Sequence, residues 1–150
     1  MLISAVYCGG MKTFIPALGT PIHRPLYLSQ IPAGFPSPAE DYMETTISLD
    51  ELVVKHPAAT FFLKVSGSSM SPIILDGDII AVDRSIQARH GHIVVASVNG
   101  EMLVKRLFKQ GGIVSLLPEN ADYSAIEVTT GFEFKIWGVV TYALGDTCTL

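Results

Sequence analysis

Ile93-Val94-Val95-Ala96-Ser97-Val98-Asn99-Gly100-Glu101-Met102-Leu103-Val104-Lys105-Arg106-Leu107-Phe108 decides the fold class. Two β-branched and apolar runs flank Asn99-Gly100. That dipeptide is the strongest short-range hairpin signal, because a type I′ turn requires positive φ at both central positions. Further runs and turns lie on either side. Upstream, residues 60 to 66 form an apolar run, and Asp76-Gly77-Asp78 makes a turn before Ile79-Ile80-Ala81-Val82. Asp83 to Gly91 is a polar connection into the hairpin. Downstream, Gln110-Gly111-Gly112 turns into Ile113 to Leu117, and a long final strand is expected between Phe132 and Leu144. Strand follows strand without intervening helices, so the pattern predicts a mostly β, compact antiparallel domain.

The N-terminal part reads differently. Six of the nine prolines fall between Pro16 and Pro38. Each removes a backbone donor and fixes φ, which excludes a long helix or a central strand there and leaves extended chain. Residues 1–40 are therefore expected to form an extended arm and residues 41–150 a β-rich domain. The arm has no room for the amphipathic helices of a helix-turn-helix head. Between the two, Asp41 to Pro57 holds the one expected helix, about two turns long. Ser48 would cap it, Glu51 would complete a capping box, and Leu49, Leu52 and Val53 would share a face.

Composition bounds the function. The 150 residues carry 49% hydrophobic side chains, enough for one ordinary core, and the formal charge is −4. Residues 1–33 hold Lys12 and Arg24 and no acidic residue, so they carry +2 and residues 34–150 carry −6. An acidic body lacks the electrostatic footprint of a protein that grips a phosphate backbone. Cys8 and Cys148 show no metal-ligand spacing and are expected to be free thiols. No apolar run approaches the ~18 residues of a membrane span, and Leu2 to Cys8 lacks the basic flank of a signal peptide. A soluble, cytoplasmic protein is expected, with Met11 a second candidate start.

One side chain on the hairpin stands out chemically. Alternation places Leu103, Lys105 and Leu107 on one face of the second strand, and Met102, Val104 and Arg106 on the other. A lysine sharing a face with two leucines is partly desolvated if that face is the core side, and desolvation disfavours the ammonium form. A free lysine, with a pKa near ~10.4, is neutral in only about one molecule in 2,500 at pH 7. A lowered pKa is therefore what a lysine base requires. Its natural counterpart is a nucleophile, and Ser66-Gly67-Ser68-Ser69-Met70 crowds hydroxyls at the end of the apolar run Phe61 to Val65. By default these serines are turn hydroxyls and the lysine a solvated strand residue whose stem covers apolar neighbours. Lys64 is a weaker base, since an extended strand would place it about 16 Å from Ser69.

Several motifs in order weigh against that default. Ser66-Gly67-Ser68-Ser69-Met70, Asp76-Gly77-Asp78, and Asn99-Gly100-Glu101 leading to Val104-Lys105-Arg106-Leu107 together resemble the LexA/UmuD family of self-cleaving serine–lysine proteins. Ala33-Gly34-Phe35-Pro36-Ser37-Pro38-Ala39 looks like the cleavage region of the UmuD branch, and His56-Pro57 fits the same branch. The resemblance runs from about Gly34 to Tyr142. It implies Ser69 as nucleophile, Lys105 as general base, and an oxyanion hole from the backbone N–H groups of Ser68 and Ser69. It also implies self-cleavage at Ala33-Gly34, with no cofactor and no metal. The small residues at that bond and the flanking Pro32 and Pro36 suit an extended chain entering a tight groove. Cys8-Gly9 resembles another bond cut in the family, but Gly10-Met11 follows it and it is set aside.

The resemblance further implies a homodimer, stimulation by a RecA–single-stranded DNA filament, and assembly of the cleaved form with a UmuC-like translesion polymerase in the DNA-damage response. Repression of the LexA kind is disfavoured by the missing DNA-binding head. Two other classes share these features. A non-catalytic dimeric interaction module would keep the motifs without cleavage. A signal-peptidase-like enzyme would share the dyad but act on other chains at a membrane, for which an anchor segment is wanting.

Overall fold

The structure, a computed structural model, describes residues 5–8, 11–14, 20–27, 33 and 43–148, with side chains described for 20–26, 33 and 45–148. In chain order the elements are β1 (Ala5–Cys8), β2 (Met11–Phe14), β3 (His23–Tyr27), β4 (Met43–Ser48), α1 (Leu49–Val53), β5 (Thr60–Lys64), β6 (Ile79–Asp83), β7 (Ile93–Val98), β8 (Glu101–Gln110), β9 (Ile113–Leu117), β10 (Ile126–Glu127) and β11 (Phe134–Leu144). They divide into two compact units. One is drawn from Met1–Ala17 and His56–Leu150, the other from Leu18–Lys55.

The first unit is a single sheet of nine strands among the described residues, in the order β1-β2-β5-β6-β11-β7-β8-β9-β10. Every pairing is antiparallel. The expected hairpin is present: Val98 faces Glu101 across the turn, with Asn99 at φ 50° and Gly100 at φ 83°. The expected β9 runs over Ile113–Leu117, and the expected final strand begins at Phe134. β11 pairs with both β6 and β7, with irregularities between Ile136 and Gly138 and between Val140 and Tyr142. At the first of these, a methyl group on Gly138 would stand 2.7 Å from Val82 Cγ1 and 3.2 Å from the Asp83 carbonyl. Only glycine lets the two strands approach so closely.

Both faces of the sheet are apolar. One carries Leu63, Met70, Ile74, Ile80, Val82 and Val95, all buried. A second cluster gathers Val94, Ala96, Val98, Leu107, Leu116 and Val139. Along β7, Val95 joins the first cluster and Val94, Ala96 and Val98 the second, so its unbroken apolar run is explained by cover on both sides. Asp83, buried at the end of β6, accepts hydrogen bonds from the Ser85 N–H and hydroxyl at 2.7 and 2.6 Å and from His56 Nδ1 at 2.5 Å. Burial pushes its carboxyl up, but these donors outweigh it and hold the carboxyl below its usual value.

The second unit corrects one expectation. The helix expected over Asp41 to Pro57 is only Leu49–Val53. Met43–Ser48 is instead a strand, paired with His23–Tyr27 in a two-stranded sheet. The β-branched Thr45-Thr46-Ile47 favours a strand over a helix, and Pro25 is tolerated because such a sheet has only edges. The capping box does not form: Ser48 makes no side-chain cap, and its buried hydroxyl has no partner among the described residues. Glu51 meets His23 Nε2 at 3.2 Å instead. Of the supposed apolar face, Val53 is buried and Leu49 exposed. Among the described residues no helix is long and apolar enough to cross a membrane.

Candidate active site

The Ser66–Met70 stretch forms a loop clamped to the end of β5. The Val65 N–H donates to the Asp78 carbonyl at 2.8 Å, and the Gly77 N–H donates to the Val65 carbonyl at 2.9 Å. Asp76 Oδ1 accepts the Gly67 N–H at 2.7 Å, and Gly67 adopts φ 97°, a left-handed conformation that side-chain-bearing residues resist. Met70 and Ile74 drive the loop into the core, at 2% and 1% exposure. The serines ride on this anchored turn.

β8 brings the lysine to it. Lys105 Nζ lies 2.6 Å from Ser69 Oγ, although the two residues are thirty-six apart in sequence, and it donates to the Val104 carbonyl at 3.0 Å. The residue is 9% exposed, on the face that also carries Leu103 and Leu107. Desolvation lowers the Lys105 pKa below that of a free lysine. The expected face is thus the buried one. Met102 and Val104 on the opposite face are also covered, packing against the first apolar cluster. Lys64 is exposed at the rim of the same groove, with no hydrogen bond to Ser69 among the described residues.

The pair sits in an open groove of about 250 Å³, lined by Lys64–Gly67, Ser69 and Met70 on one side and Val95 and Met102–Lys105 on the other. β9 pairs with β8 only from Arg106 onward, because Pro118, next after Leu117, cannot extend the ladder. Among the described residues the Glu101–Lys105 half of β8 therefore pairs on one side only, with β7. Its other edge is open backbone on the groove that also holds Ser69.

Sequence reasoning missed the segment that braces the turn from behind. The Glu119 and Asn120 N–H groups both donate to the Ser69 carbonyl, at 3.0 and 3.1 Å. Asn120 Nδ2 donates to the Ser68 carbonyl at 3.1 Å, and the Ser68 hydroxyl pairs with the Tyr123 hydroxyl at 2.9 Å. Arg106 holds the Glu119 carboxylate through Nε and donates to the Gly91 carbonyl at 2.6 Å through Nη1. The only local signal is Pro118-Glu119-Asn120-Ala121-Asp122, in which Asn120 Oδ1 accepts the Asp122 N–H in a turn of ordinary type. The Ser68 and Ser69 N–H groups have no acceptor among the described residues. Ala33 is exposed, and Gly34 lies outside the described residues.

A family model described as Peptidase S24-like matches residues 25–141, a span that includes Ser69 and Lys105. The chain belongs to the S24-like peptidase family. Among its relatives, Protein MucA of Salmonella typhimurium is 48% identical over 122 residues, covering 80% of this chain and 83% of the relative. Protein ImpA of Shigella flexneri is 48% identical over 125 residues, covering 83% and 85%. The LexA repressor of Idiomarina loihiensis is 44% identical over 125 residues, covering 82% of this chain but 60% of the repressor. The likeness to the LexA/UmuD family, and to its UmuD branch, stands. Membership places this S24-like chain among serine peptidases.

Proposed function

We propose that the chain is a UmuD-like serine endopeptidase that cuts its own Ala33-Gly34 bond, and that the processed form acts as a subunit or regulator of an error-prone translesion DNA polymerase. The observation that carries the cleavage reading is the 2.6 Å separation of Lys105 Nζ and Ser69 Oγ, with the lysine desolvated. That spacing lets a neutral amine accept the hydroxyl proton. Ser69 Oγ bonds to the Ala33 carbonyl carbon while its proton passes to Lys105. The oxyanion is met by the Ser68 and Ser69 N–H groups, an interaction worth about 3 kcal/mol per donor in other hydrolases. The C–N bond to Gly34 then breaks, and Lys105 returns the proton to the departing amine. Water, deprotonated by Lys105, hydrolyses the ester carrying residues 1–33. Each chain turns over once.

The open edge of β8 would suit an extended substrate peptide, because backbone hydrogen bonds there give affinity without demanding particular side chains. A homodimer, stimulation by a RecA–single-stranded DNA filament and a UmuC-like polymerase partner complete the proposal, with a cytoplasmic location and no direct sequence-specific DNA binding. Purified protein held at alkaline pH should lose residues 1–33 by mass, and Ser69→Ala should abolish the loss. An intact parent chain would instead support the non-catalytic interaction module.

A further inference from the structure

We propose that Asn120 is a positioning residue that aims the Ser69 N–H for oxyanion binding and fixes the nucleophile's backbone, an inference that rests on the peptidase reading above. Asn120 has every hydrogen-bonding group engaged. Its Nδ2 donates to the Ser68 carbonyl at 3.1 Å and its N–H to the Ser69 carbonyl at 3.1 Å. Its Oδ1 accepts the Asp122 N–H at 3.0 Å and its carbonyl accepts the Tyr123 N–H at 3.1 Å. Because Oδ1 is taken by a donor, the amide nitrogen must face Ser68.

The two clamped carbonyls belong to the two peptide planes on either side of the Ser69 Cα. In a trans peptide the C=O and N–H point to opposite sides. The Ser68 carbonyl also accepts the Ser71 N–H at 3.1 Å, and with the Asn120 amide as its second donor the plane turns the Ser69 N–H away from Asn120, free to meet an oxyanion. Holding the Ser69 carbonyl, with the Glu119 N–H as a second donor at 3.0 Å, fixes the plane that follows. With both planes set, χ1 is the one freedom left to Ser69 Oγ, and Lys105 Nζ at 2.6 Å marks its working rotamer. The brace also ties back to the base. Arg106, the neighbour of Lys105 on β8, holds the Glu119 carboxylate, so one strand positions both the base and the support of the nucleophile.

The test uses the full chain with Asn120→Ala, which removes the side-chain amide, and Asn120→Asp, which keeps the Oδ acceptor and the main-chain bonds but loses the Nδ2 donor. Two readouts are followed across pH: self-cleavage, and covalent labelling of Ser69 by a small fluorophosphonate, which needs the nucleophile and the oxyanion donors but not the arm. Both variants should fall at least about tenfold in plateau rate by both readouts, below the ~10²–10³-fold cost of deleting an oxyanion donor outright. The pH midpoint should stay at the parent's value, because Lys105 remains desolvated by its own neighbours. Rates within about twofold of the parent overturn the proposal. So does a midpoint that climbs to the ~10.4 of free lysine, which would mean the groove had opened and Asn120 merely holds the fold. A parent that labels but does not cleave itself sinks the self-cleavage reading while labelling still decides Asn120. A parent that does neither sinks both.

Discussion

The chemistry of single residues turns on the solvation of Lys105. Its pKa is lowered because burial penalises the ammonium, so the folded value lies below the unfolded one. Two consequences follow, and both run upward with pH. Self-cleavage, which needs the neutral amine, should rise as pH rises through the folded pKa and level off below ~10.4. A rate flat from about pH 6 to 10, followed by mass spectrometry, would remove Lys105 from the role of base, as would normal cleavage by Lys105→Ala. Stability runs the same way. Below the folded pKa both states are charged and the folded state bears the burial cost. Between the two pKa values the unfolded state binds more protons and stability rises with pH. In a Ser69→Ala background, Lys105→Met should therefore melt higher than its parent at pH 7, and the two melting curves should converge above about pH 10.4.

At the level of elements, β8 joins the parts. Its first half lines the groove with one open edge, its second half carries β9, and consecutive side chains Lys105 and Arg106 reach Ser69 and the Glu119 that braces it. The loop bearing Ser69 is held by Met70 at 2% exposure. Met70→Ala should cost about 2–5 kcal/mol by thermal melting, as large-to-small changes in cores do, and should slow cleavage more than it shifts the pH midpoint. Gly138→Ala tests the approach of β11 to β6. The added methyl meets Val82, which is fully buried and stiff, so overpacking of about 1–3 kcal/mol is expected. Elements with strong local signals were legible: the Asn99-Gly100 hairpin, the Gly111-Gly112 turn and the strand before the serines follow from turn chemistry and β-branched runs. The helix in Asp41 to Pro57 starts after Ser48 as the capping signature indicated but is one short turn, because the β-branched residues before it pair with His23–Tyr27 and Ser48 makes no side-chain cap.

For the whole molecule the proposed cleavage changes the charge. If Ala33-Gly34 is cut and residues 1–33 leave, Lys12 and Arg24 go with them, and the body goes from −4 to −4 − 2 = −6. The processed chain should elute later from an anion exchanger than the intact chain at pH 7, and Ser69→Ala protein should keep the earlier position throughout. The amino-acid sequence alone determined the β class, the order of the later strands and the two residue types that can form a serine–lysine pair, because hydrophobic alternation, positive-φ turns and nucleophile chemistry are local properties. The motif resemblance had named Ser69, but tertiary structure alone sets its hydroxyl 2.6 Å from Lys105 Nζ, buries the lysine, and puts Glu119, Asn120 and Arg106 behind the Ser69 turn. Those are contacts between segments remote along the chain. Ser69 to Lys105 spans thirty-six residues and Ser68 to Asn120 fifty-two, and no local pattern encodes the registers and loop closures that bring them together.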